Sequence, residues 1–105
     1  MKKLVLLAAV LGLVTATSAY AAEAKDNWAK FCVSCHGPEG KGKPAMKTKD
    51  YSAAAVQSAL TDEAAFKAIK EGFKPAAGPA MKPYSDRMSD DEIKALVAYM
   101  RTLKQ

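Results

Sequence analysis

The sequence predicts an all-α domain of three to four short helices joined by long loops. Three observations carry that prediction. Ile93, Leu96, Val97, Met100 and Leu103 recur at i, i+3, i+4, i+7 and i+10 behind Ser89-Asp90-Asp91-Glu92, which is a capping box. Trp28, Phe31, Cys32 and Cys35 fall at i, i+3, i+4 and i+7, one face of an earlier helix. Between them, residues 37–44 and 73–84 are rich in Gly and Pro, and no stretch shows the period-two alternation of a strand.

The first helix, expected from about Ala24 to Cys35, ends in Cys32-Val33-Ser34-Cys35-His36. A Cys-x-x-Cys-His run is the attachment signature of a c-type haem. Two intervening residues set the sulfurs about one helical turn apart, and the adjacent His brings an imidazole under the iron. Competing chemistries fail on counting. A structural zinc site needs four protein ligands, whereas the chain holds two Cys and one His, all within the run. A dithiol redox motif belongs beside a βαβ pattern, and a disulfide across so short a loop is geometrically awkward.

On these residues, the segment 24–105 resembles a small class I cytochrome c with one haem. The resemblance implies a cytochrome c fold wrapped around one covalently attached haem c, with the N- and C-terminal helices crossing. Cys32 and Cys35 would form the thioethers and His36 the proximal axial bond to iron. Trp28 matches the family's aromatic four residues before the first Cys. Ala24 stands where the family favours Gly at the helix crossing.

Residues 1–21 read as a cleaved secretory leader. Lys2 and Lys3 form its charged start, Leu4 to Val14 its apolar stretch, and Ala19-Tyr20-Ala21 its cleavage site, leaving 22–105 as the cytochrome domain. A membrane span would need about 20 apolar residues, so none is expected in the mature chain. In bacteria the family attaches its haem after export, which implies a periplasmic protein. Removing 21 of 105 residues leaves 84, and the net charge of +5 falls to +3 without the two leader lysines. A domain this small needs a staple, and a large apolar macrocycle is one. The charge is too mild to argue for nucleic acid.

After His36, Gly37-Pro38-Glu39-Gly40-Lys41-Gly42-Lys43-Pro44 loops away from the helix. The glycines lack the spacing of a phosphate-binding loop. A ligand His needs its second ring nitrogen anchored, and the resemblance points to a carbonyl at or near Pro44. Lys41, Lys43, Lys47 and Lys49 make the loop basic, which suits either a rim steering an acidic redox partner or a solvated loop.

From Asp50 to Leu60 the helical period is weak. Thr61 is then an N-cap, Asp62 and Glu63 lie in the first turn, Phe66 and Ile69 form the buried face, and Gly72 is the stop.

The loop 73–84 carries Met81, which no amphipathic face accounts for. Class I cytochromes place a Met thioether, the distal axial ligand, in such a loop, and Met81 lies 45 residues beyond His36. The family often has Pro directly after this Met, whereas here Lys82 intervenes before Pro83. Met100 belongs to the last helix's apolar stripe, and Met88 suits a hydrophobic staple beside its N-cap. Met46, ten residues past His36, would need a tight return to reach the iron. In the last helix, Tyr99 matches the family's aromatic at the helix crossing, and Arg101 and Lys104 set positive charge at its negative end.

With both axial positions filled, the resemblance implies a soluble one-electron carrier cycling between Fe(II) and Fe(III), docking transiently with redox partners, and not an enzyme. Two alternatives stay open. Without Met81 on the iron, the site would be five-coordinate, suiting a gas sensor or haem enzyme. The chain could also be the electron-accepting cytochrome subunit of a dehydrogenase complex.

Overall fold

The computed structural model describes residues 20–105. Except for its last two residues, the leader of residues 1–21 lies outside the described residues. Helix α1 covers 20–36 and reaches both ends of the expected segment. It is not uniform. Trp28–Cys32 form a π turn, in which the Val33 N–H donates to the Trp28 carbonyl, and Val33–His36 complete the helix. Helices α2 (Ala54–Ala59), α3 (Asp62–Glu71) and α4 (Asp90–Arg101) follow, with a short 3-10 turn at Pro44–Met46. No strand occurs among the described residues; Phe73 and Met81 form one isolated antiparallel bridge.

The caps act where the sequence places them. The Thr61 hydroxyl accepts from the Ala64 N–H at 3.1 Å. At Ser89 both arms of the capping box form: the Ser89 N–H donates to Glu92 Oε1 at 2.9 Å, and the Glu92 N–H donates to Ser89 Oγ at 3.2 Å. Helix α2 has Ala53 at its N-cap position and no side-chain cap, which is why its sequence signal is weak.

The core joins Trp28 and Cys32 of α1, Ala65 and Ile69 of α3, Tyr84 and Met88, and Ile93, Leu96, Val97 and Met100 of α4. Ile93 and Leu96 are fully buried. Helices α1 and α4 meet as expected: the Trp28 and Tyr99 rings lie 6.0 Å apart, and Ala24 is 1% exposed. On α3, Ala65 and Ile69 are buried while Phe66 is half-buried at the edge of the core. Met88 enters the core itself.

Arg101 does more than offset the helix dipole. Its guanidinium donates to the Gln57 and Leu60 carbonyls, at 2.6 and 2.5 Å, and pairs with Asp62 at 2.9 Å. Gln57, buried between helices, donates through Nε2 to the Tyr51 and Met100 carbonyls. One charged side chain thus closes the free C-terminal carbonyls of α2 and fixes the α2–α3 corner to α4.

Candidate haem-attachment site

Cys32, Cys35 and His36 lie together at the end of α1. Cys32 is buried, Cys35 half-buried, and neither is in a disulfide. Burial, and then the neighbouring Cys35, push the Cys32 thiol up to about 12, so Sγ keeps its proton at neutral pH. Tyr51 and Tyr84 flank Cys32, and both phenols are raised first by burial and then by that sulfur. The Tyr84 hydroxyl donates to the Phe31 carbonyl at 3.3 Å, tying the chain beyond Met81 to the attachment helix.

The His36 ring is held between two aromatics. Its centroid lies 5.9 Å from Trp28 and 5.7 Å from Tyr51. Eight residues of straight α-helix span about 12 Å, yet Trp28 and His36 touch at 5.9 Å. The wide turn at Trp28–Cys32, which shortens the rise per residue, lies between them. Burial lowers the imidazole pKa below 6.5, which keeps a ring lone pair available at neutral pH.

His36 Nδ1 is buried without a hydrogen-bond partner. The Pro44 carbonyl, expected as its anchor, receives the Lys47 N–H at 3.2 Å instead. The 3-10 turn that Pro44 opens uses one of that carbonyl's two lone pairs. Two bonds anchor the loop to the end of α1: the Gly42 N–H donates to the His36 carbonyl at 2.9 Å, and the Thr48 hydroxyl donates through Oγ1 to the Cys35 carbonyl at 2.7 Å. Trp28 Nε1 donates to the Pro38 carbonyl at 3.2 Å.

Met81 packs, half-buried, against the same core that contains Cys32. Its backbone is clamped: the Phe73 N–H donates to the Met81 carbonyl at 2.9 Å, and the Met81 N–H donates to Phe73 at 2.7 Å. Gly72 permits the close approach, because a β-carbon there would sit 2.8 Å from the Met81 oxygen. Phe73 itself is 55% exposed beside Met81. Met100 and Met88 are core residues, and half-buried Met46 closes the 3-10 turn.

The donor set fits a covalently held haem. Two unpaired thiols one turn apart, a neutral imidazole on the next residue and a thioether on the same core supply soft and nitrogen donors without an acidic cluster. Among the described residues no group of three or more His, Cys, Asp or Glu could hold a bare metal ion.

Residues 19–100 match the family described as cytochrome c oxidase, cbb3-type, subunit III. The chain belongs to this c-type cytochrome family. Its cofactor is haem c, covalently attached, and its family function is electron transport. The chain is 32% identical to cytochrome c-553 of Helicobacter pylori over 106 residues, covering 99% of this chain and all of that one. Among solved structures, the KustC0563 c-type cytochrome superposes with a TM-score of 0.66 at 24% identity, over 78% of this chain and 98% of that one. Cytochrome cL of Methylophaga aminisulfidivorans gives a TM-score of 0.62 at 20% identity, over 82% of this cytochrome and 54% of its own chain. These likenesses bear out the all-α cytochrome fold. Among the described residues no helix is long and apolar enough to cross a membrane.

Proposed function

We propose that this cytochrome is an exported one-electron carrier of the periplasm. Cys32 and Cys35 would hold the haem as thioethers, and His36 and Met81 would supply nitrogen and sulfur to its iron. The observation that carries this reading is the convergence of two donor segments on one core. Cys32 of α1, beside Cys35 and His36 in sequence, belongs to that core, and Met81 packs against it with its backbone pinned on both sides.

The bound group supplies a single iron whose oxidation state changes by one electron. The protein supplies the rest. Cys32 and Cys35 fix position and face. His36, neutral and wedged between Trp28 and Tyr51, offers nitrogen in one orientation. Met81 offers a soft sulfur that favours the reduced state, and a pinned loop limits rearrangement between states. Trp28, Ile69 and Tyr84 exclude water from the same region. Residues 1–21 act as the export leader. The exposed Lys41, Lys43, Lys47 and Lys49 steer acidic redox partners toward the site, and Lys41 is partly occupied by Glu39 at 3.9 Å.

The test is the visible spectrum of the exported protein, reduced with dithionite, before and after carbon monoxide. The wild type is expected to keep its spectrum, whereas Met81→Ala shifts promptly on adding the gas. A prompt shift in the wild type would remove Met81 as a firm ligand and favour a five-coordinate haem protein. In parallel, Cys32→Ser with Cys35→Ser is expected to release the haem into acidified organic solvent.

A second reading, a cytochrome subunit of a larger redox complex, draws on the exposed Phe73 and on the oxidase-subunit description of the family. It predicts co-elution with a larger partner from native periplasm, where the carrier reading predicts migration at the size of the mature chain.

A further inference from the structure

The two loops that flank the site meet each other. The loop after His36 is tied to the end of α1 through Gly42 and Thr48, and the Lys43 N–H also donates to Thr48 Oγ1 at 2.8 Å. These bonds fix its neck and leave Pro44–Lys47 projecting. Lys47 closes the 3-10 turn at φ 54, a left-handed conformation unusual for a residue with a side chain. The second loop, residues 74–80, is fixed at its base by the Phe73–Met81 bridge. Its residues 76–80 are all exposed, so no buried side chain anchors them.

The tip of the second loop rests on the tip of the first. Gly78, at φ 102, approaches so closely that a β-carbon there would lie 3.1 Å from Lys47 Cβ and 3.4 Å from Cδ. The Met46 carbonyl oxygen would lie 3.5 Å away. Both the backbone angle and the approach call for glycine.

We infer that the Gly78–Lys47 contact is a latch that holds the Met81 loop closed over the site by joining the loop of the proximal donor to the loop of the distal one. Gly78 and Lys47 are positioning residues. They act by setting how often Met81 leaves its place. The inference rests on Met81 being the distal ligand.

The experiment is stopped-flow carbon monoxide binding to the reduced, haem-loaded protein, in which the rate reports opening of the Met81 loop. Four proteins are compared with wild type: Gly78→Ala, Lys47→Gly, the double variant and Met81→Ala. Far-UV circular dichroism and denaturation midpoints are measured alongside. Gly78→Ala should quicken binding about tenfold, because its β-carbon would press on Lys47 Cβ at 3.1 Å and part the two loop tips. Lys47→Gly, which removes the surface the loop rests on, should quicken it as well. The double variant should fall short of the product of the two single effects, because both break one contact. Unchanged rates in both single variants, or effects that simply multiply, would overturn the latch. So would a lowered denaturation midpoint with no change in rate, which marks a purely structural role. If Met81→Ala binds the gas no faster than wild type, the ligand reading fails and the latch falls with it. If Met81→Ala is fast and Gly78→Ala is not, the latch alone fails.

Discussion

Ser52 and Asp50 show how much local order one hydrogen-bonded turn supplies. The Asp50 carboxylate accepts from the Ser52 N–H at 2.9 Å and from its hydroxyl at 2.5 Å. These bonds hold the carboxyl below its ordinary value of 3.8. A lowered folded value means stability present above 3.8 and lost as the pH falls through the folded value. Ser52→Ala should therefore raise the Asp50 titration midpoint and weaken the acid dependence of unfolding, which an NMR pH titration of the two proteins would read. The pair was not legible from composition, since Asp-Tyr-Ser carries no periodicity. Trp28 and Cys32, in contrast, were legible because a helical face repeats. What the repeat could not convey was the partner of His36 Nδ1: the resemblance points to a carbonyl at or near Pro44, whereas Nδ1 is buried without a hydrogen-bond partner.

At the scale of elements, the corner between α2 and α3 depends on Arg101. Its planar fork reaches two main-chain carbonyls and the Asp62 carboxylate at once. Lysine keeps the charge but cannot span those acceptors. Arg101→Lys should cost about 1–2 kcal/mol of unfolding free energy, read as a lower midpoint in urea with an unchanged slope. Helices α3 and α4 were legible because Thr61 and Ser89 announce their starts and apolar residues repeat behind them. Helix α2 was barely legible, since Ala53 offers no cap and its anchor lies 44 residues away in Arg101. The π turn in α1 was not legible at all, because neither Ala29 nor Lys30 distinguishes a wide turn from an ordinary one.

For the molecule as a whole, the covalent haem c and the all-α cytochrome fold were readable from five consecutive residues and two helix patterns. The tip-to-tip contact of the loops was not, because a long-range approach at Gly78 leaves no mark on spacing. Long-range charge belongs to this scale too. Lys43 and Lys49 are exposed on the loop beside the site. If they steer an acidic partner, the second-order rate of electron transfer to it should fall as ionic strength rises, with screening set by a Debye length of about 10 Å at 0.1 M salt. Lys43→Glu with Lys49→Glu should slow the reaction at low salt and flatten that dependence. A rate indifferent to both salt and substitution would leave the lysines as a solvated loop.

The exposed run 76–80 has a practical side. The chain has two cysteines, and both sit in the attachment motif. With those sulfurs taken up as thioethers, a cysteine introduced at Ala77 would be the sole thiol on the holoprotein. A fluorophore or spin label would then couple there alone, one residue from the loop tip, with no wild-type thiol to remove first.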